Sequence, residues 1–382
     1  MFNVIAGLRQ PSAYIPQLES LRGWAILLVV AFHFFGILRG ESLQLPEESP
    51  IWLRVIGAGN TGVTLFFVLS GFLLARPFIK AFRSGAKVNI GQFYLARLLR
   101  IIPLYYIAVF VAWLVTKNSV GAFKALWFIP VGFDIFPFSV PWWSLCTEVQ
   151  FYLLLPWLML ALHYRWGRWL VACATASWLM LHGAHLLQPQ WLGLPAWSES
   201  SLFGRGVAFL VGGLAAWFHV SSGYAKVFRS PWLVGLLALL LFAALIGLLQ
   251  WYGLVGQKAA MRSMPFYHDL EALLWAGLLL CSLAPLAQGA GIFINPLISH
   301  FGTISYSLYL VHVPLQFYLI YPFKAAGSDI SDSRMLVAVV GSFVLSWLLA
   351  ILCYHAIEKP FLKLKAHLPI LSDRLRGHPA KA

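Results

Sequence analysis

Acidic side chains are scarce: the chain has 13 Asp and Glu in 382 residues and a charged fraction of 10%, against roughly 25% in an average soluble protein. So few charges cannot clothe a globular surface of this size in water, and a soluble fold is excluded. Cysteine is sparse as well. The four, Cys146, Cys173, Cys281 and Cys353, form no C-x-x-C pair, so neither a disulfide framework nor a zinc site is supported. No small-residue cleavage pattern follows the first apolar run, which reads as a retained span and not a signal peptide. Internal repeats and low-complexity tracts are absent.

What is present is apolar. Hydrophobic residues make up 60% of the chain and aromatic residues 16%, with 17 Trp, and the mean hydropathy is +0.78. Lipid is the solvent this composition suits, with the aromatics supplying interfacial belts. Windows of about 20 apolar residues, each able to cross a hydrocarbon core of ~30 Å at 1.5 Å per residue, predict an all-α integral membrane protein of about ten transmembrane helices. They run approximately Leu21–Leu38, Val55–Leu74, Ile101–Val115, Leu145–Leu162, Trp169–Leu187, Leu202–Phe218, Trp232–Trp251, Leu270–Leu286, Leu297–Tyr321 and Met335–Tyr354. Pro130, Pro137 and Pro141 make Phe123–Val140 a re-entrant or surface loop instead of a further span.

The 27 Lys and Arg give a net charge of +14. In a soluble protein that excess would suggest nucleic acid; in a membrane it marks cytoplasmic loops against anionic lipid, or a phosphorylated substrate. With the N-terminus inside, 18 basic residues fall on inner segments and 8 on outer ones, leaving Arg205 within the sixth span. This bias predicts that both termini are cytoplasmic and leaves no support for a nucleic-acid partner. Residues 1–361 form the membrane domain and 362–382 a short basic cytoplasmic tail.

Ionisable groups within hydrocarbon cost roughly 2.5–3.5 kcal/mol at a helix centre, which makes the few present functional candidates. His33 follows Arg22 by eleven residues, about 16 Å along the first helix, so Arg22 lies at the inner interface and His33 in the outer half. Glu148 and His312 come to a similar depth on the fourth and ninth spans. A His and a carboxylate together can handle a proton. On the inner side Arg97 and Arg100 are three apart and share one helix face; such a pair binds lipid phosphate or the phosphates of a soluble cofactor. Each residue also has a plainer reading. Either histidine can serve as an interhelical hydrogen-bonder, Glu148 as a solvated interfacial acid, and Arg22 as a positive-inside anchor.

The same residues resemble the acyltransferase-3 family of multi-pass membrane acyltransferases. Leu18-Glu-Ser-Leu-Arg22 through Phe32-His33 is similar to its opening signature, and Gly62-Val-Thr-Leu-Phe-Phe-Val-Leu-Ser70-Gly-Phe to its second-span motif. Arg97-Leu-Leu-Arg100-Ile-Ile-Pro-Leu-Tyr-Tyr106 resembles the third, and Trp143-Ser-Leu-Cys-Thr-Glu148-Val-Gln-Phe-Tyr the fourth. Ser305-Tyr-Ser-Leu-Tyr309-Leu-Val-His312 and Glu358-Lys-Pro-Phe361 complete a set that covers Leu18 to Phe361. Thr64 stands where the family often carries an acid, Val149 where it often has Glu, and Cys146 where a small polar residue is usual. A thiol in apolar surroundings is ordinarily inert.

The resemblance implies transfer of an acyl group, most often acetyl, from cytoplasmic acyl-CoA to a hydroxyl of an extracytoplasmic sugar or polysaccharide, at the bacterial inner membrane and without a metal. It implies His33 as general base, Glu148 orienting it or binding sugar, and Arg22, Arg97 and Arg100 on the CoA phosphates. Ser70, Tyr309 and His312 would bind substrate or support the site. Many family members carry an esterase-like domain after the last span. None follows here, which implies that the chain acts alone or passes its product to a polysaccharide-assembly partner. The rival is a proton-coupled secondary transporter or lipid-linked glycan flippase using the His and Glu as a proton relay, though no paired broken helices mark one.

Overall fold

The computed structural model describes residues 15–40, 44–85, 88–284, 294–327 and 333–364. Arg9, Lys87, the end of the eighth expected span at Leu286 and the tail from residue 365 lie outside the described residues. Those described are helical with no strand, because a chain in lipid must satisfy its backbone groups within each segment.

Ten long helices carry the fold: α1 (Pro16–Arg39), α2 (Thr61–Ser84), α3 (Ile90–Thr116), α4 (Trp142–Ala161), α5 (Arg165–Leu187), α6 (Leu202–Val220), α7 (Pro231–Val255), α8 (Tyr267–Ser282), α9 (Ser305–Ala325) and α10 (Ser333–Cys353). Each overlaps one expected span, but Val55 and Leu297, the expected starts of the second and ninth, lie in separate short helices, Ile51–Gly57 and Pro296–Thr303. Eight of the described helices are long and apolar enough to cross a membrane; α8 and α9 are not among them. With 16 residues α8 is short. The 21 residues of α9 suffice in length, but they include two prolines and a buried polar row of Ser307, Tyr309, His312 and Gln316 that lowers its hydropathy. Its first half is buried in the bundle, while Tyr318, Leu319 and Tyr321 near its end are exposed.

The most enclosed helix is α2, with 72% of its apolar window buried. It meets α6 through two glycines at which the backbones nearly touch. A Cβ on Gly71 would lie 2.2 Å from the Phe209 carbonyl oxygen, and one on Gly212 would lie 2.1 Å from that of Val68. In lipid, helices associate through such small-residue contacts because apolar burial gives no drive between them. Along its other flanks α2 packs on α1 and α8. A short helix, Pro296–Thr303, lies along α1 and leads directly into α9, which delivers Ser305 to the side of Arg22.

The segment expected to be a loop contains one short helix, Ser119–Leu126, followed by turns up to Pro141. It is folded onto the bundle: Val131, Ile135 and Phe138 are buried, the Tyr105 hydroxyl donates to the Ala125 carbonyl at 3.1 Å and Tyr309 donates to that of Pro141 at 2.8 Å. Beyond α10 the backbone widens into one π-helical turn, Tyr354–Glu358. Such turns occur often at functional sites; here the turn carries Glu358 into the bundle.

Candidate active site

Five helices, α1, α2, α3, α4 and α9, enclose a cavity of about 300 Å³. Six of the eight residues singled out from the sequence line it: Arg22, Ser70, Arg97, Arg100, Glu148 and Tyr309. The other two, His33 and His312, pair with each other beside it.

The three guanidinium groups are held differently. Arg22 bridges Glu19 at 3.3 Å and donates to the Ser305 hydroxyl at 3.2 Å. Arg100 sits 3.9 Å from the carboxylate of Glu358, whose other oxygen accepts from Ser307 at 3.0 Å. Arg97 has no carboxylate within ion-pair distance among the described residues; its Cζ lies 5.9 Å from the centre of the Tyr152 ring. Its Nε is buried and unpartnered, leaving only the terminal nitrogens to meet a ligand. Glu148 is the one carboxylate on the cavity wall, and it accepts from Ser70 at 2.6 Å. Glu19 and Glu358 offset two of the three guanidinium groups, so Arg97 is the one without a carboxylate partner among the described residues; arginine suits phosphate through its planar fork of donors.

Glu148 is therefore grouped with the arginines, and among the described residues no hydrogen bond joins it to His33. The partner of His33 is His312, with Nδ1 of the first 3.2 Å from Nε2 of the second. Both imidazoles also direct Nδ1 at the carbonyl one turn back, Val29 for His33 and Leu308 for His312, each at 2.9 Å. A carbonyl can only accept, so this network assigns the proton to Nδ1 in both rings. His312, fully buried, then offers the lone pair of Nε2 to the His33 Nδ1–H. The Nε2 of His33 is left unprotonated, with no hydrogen bond among the described residues and surface still open to a ligand. Tyr309 connects the two parts: it lines the cavity, shares a 2.6 Å hydrogen bond with Ser144, and its ring centre is 5.9 Å from that of His312.

Sequence reasoning did not single out three groups. Glu358 was noted only within a motif; the π turn that aims it at Arg100 has no composition signal. Glu271 lies inside an expected span, so the rule that selected Glu148 applies to it equally. It is fully buried and accepts from Thr64 at 2.5 Å and from His268 at 3.1 Å. Thr64 thus holds a carboxylate from another helix where the family pattern often places an acid on α2 itself. Arg205, left without a role in the sequence, faces the same region. Cys146 is buried and does not line the cavity.

A family model described as an acyltransferase domain, acyltransferase-3, matches residues 15–355. The chain belongs to this family. Among curated proteins it is similar to the peptidoglycan O-acetyltransferase OatA of Listeria monocytogenes, at 28% identity over 170 residues, covering 39% of this chain and 24% of that protein. It is likewise similar to the putative peptidoglycan O-acetyltransferase YrhL of Bacillus subtilis, at 29% identity over 169 residues, 38% of this chain and 24% of the relative. The O-acetyltransferase OatA of Staphylococcus aureus is 28% identical over 172 residues, covering 40% of this chain and 26% of that one. The matches span about a quarter of the length of these relatives. No solved structure matches.

Proposed function

We propose that this acyltransferase-3 protein moves an acyl group, acetyl in the first instance, from acyl-CoA to a hydroxyl of a glycan across the bacterial cytoplasmic membrane, with both termini on the cytoplasmic side. The observation that carries the reading is the convergence of Arg22, Arg97 and Arg100 on one cavity that Tyr309 also lines, with Tyr309 beside the His312–His33 pair. The arginines bind the CoA phosphates, and the pantetheine arm extends along the cavity toward Tyr309. The acceptor hydroxyl approaches His33 from the other side.

His33 Nε2 takes the hydroxyl proton as the oxygen attacks the thioester carbonyl. The tetrahedral intermediate then expels the CoA thiolate, which recovers the proton from His33 and leaves as thiol. His312 acts through His33: sharing the Nδ1–H with the Val29 carbonyl, it helps to hold the tautomer and ring orientation and steadies the charge that develops, a part comparable to that of the carboxylate in hydrolase triads. Glu148, held by Ser70, is the one carboxylate on the wall and positions substrate instead of orienting His33. The relatives' names make a cell-wall glycan the acceptor to try first.

Mass spectrometry of cell-surface glycans tests this. Cells with the wild-type protein are expected to carry an acyl group that cells with His33→Ala lack at equal membrane abundance; identical glycans in both would remove the proposal.

A further inference from the structure

Arg205 has no task in the donor cavity, yet it points into the bundle. It lies on the α6 face that carries Phe209 and Gly212 toward α2, with its Cζ 5.5 Å from the centre of the Trp143 ring. Its Nε is sealed and unpartnered, while the terminal nitrogens keep accessible surface and find no acceptor among the described residues. The carboxylates acting on it electrostatically, Glu271, Asp269 and Glu199, all stand beyond ion-pair distance. Glu271 is held from behind by Thr64 and His268, Asp269 by His182 at 3.0 Å. Two further buried groups nearby lack partners, Glu271 Oε1 and the Tyr267 hydroxyl.

These residues occupy the first turns of α2, α4, α6 and α8, so four helix N-termini converge there. Their partial positive charges add to that of Arg205 and favour a ligand rich in oxygen acceptors. The charge bias of the loops puts this end outside, opposite the CoA phosphates. Only a shared wall separates the two regions: Phe67 lines the donor cavity and packs against Trp143 at 6.1 Å and Phe209 at 4.6 Å.

Resting on the acyl-transfer reading for its place in the reaction, we infer that Arg205, fixed over Trp143 with Glu271 behind it, is the acceptor subsite and grips a glycan through paired oxygens. Vicinal hydroxyls and a sugar carboxylate both present such a pair to the guanidinium fork. Trp143 holds the fork in place, so little side-chain freedom is lost on binding.

The test titrates full-length protein in detergent with two probes, uncharged chitotetraose and peptidoglycan glycan strands freed of peptide, in the absence of acyl-CoA. Wild type is expected to bind at least one. Arg205→Ala should weaken that binding at least about tenfold, the loss of a charge-assisted hydrogen bond, and Arg205→Lys should weaken it less; acetyl-CoA affinity should stay as in wild type. Binding of the strands alone assigns the fork to a carboxylate, and binding of both assigns it to neutral sugar oxygens, hydroxyl or acetamide. The inference is overturned if wild type binds neither probe, if Arg205→Ala binds as wild type does, or if Arg205→Ala and Arg205→Lys both lower acetyl-CoA affinity and thermal stability along with glycan binding. Transfer from labelled acetyl-CoA is measured separately. A wild type that binds glycan through Arg205 but transfers nothing contradicts the acyl-transfer reading and leaves the subsite standing.

Discussion

In the cavity between α1, α3 and α4, three guanidinium groups and one carboxylate face about 300 Å³ of open space. At Glu271, by contrast, a carboxylate is packed against Thr64 and His268 with no exposed surface at all. Both regions bury charge inside a membrane bundle, and both would be flagged by the same rule. The difference lies in the ordering. All three arginines line the cavity; Glu19 pairs with Arg22 and the buried Glu358 with Arg100, while Arg97 has no carboxylate within ion-pair distance among the described residues. Around Glu271 the Thr64 and His268 donors are already engaged, both on one oxygen of the carboxylate. The first arrangement is ready for a ligand that brings its own negative charge; the second holds helices together, with Arg205 beyond ion-pair distance of its carboxylate.

The comparison can be broken or sharpened by substitutions that should separate activity from stability. The largest effect is expected at His33: His33→Ala should lower acyl transfer by about 10²–10⁴-fold, the range of general-base catalysis, with an unchanged melting temperature in detergent. His312→Ala should lower turnover with unchanged acetyl-CoA affinity, and His312→Gln, whose amide oxygen can accept from His33, should restore part of it; equal loss in both would break the tautomer argument. Glu271→Ala should act oppositely to the cavity variants, costing about 3–5 kcal/mol of stability because Thr64 and His268 both lose the buried carboxylate they share. A thermal-unfolding curve like wild type would place Glu271 among the ligand-facing groups. Gly212→Ala should cost about 1–3 kcal/mol through overpacking against the Val68 carbonyl, again in unfolding and not in acetyl-CoA affinity. Of similar size, Arg97→Ala should weaken acetyl-CoA binding by about 1.5–3 kcal/mol, and its contribution should shrink as salt rises. Binding that ignores both the substitution and salt would return Arg97 to lipid anchoring.

Much of this was legible in the residues. Ten apolar runs became ten long helices because each was bounded by charge or by Pro and Gly, and Arg97 and Arg100 share a face because helical spacing requires it. His33, Glu148 and His312 could be selected because so few ionisable groups lie in the spans. Their pairing could not. Depth along a helix says nothing of rotation about it, and the rotation of α9 against α1 gives His33 a histidine for a partner while α2 and α4 join Glu148 to Ser70. The meeting of Glu358 with Arg100 depends on one π turn, and that of Thr64 with Glu271 on the close approach of α2 and α8. Both are tertiary events between segments far apart in the chain.

The most direct measurement is transfer by protein in sealed liposomes, with labelled acetyl-CoA supplied on one side and a soluble glycan acceptor enclosed on the other. The account predicts labelled glycan with wild type, accumulation abolished by His33→Ala, and free CoA released only on the donor side. Label that reaches the glycan equally with His33→Ala, or wild type that exports the glycan without acylating it, would contradict it.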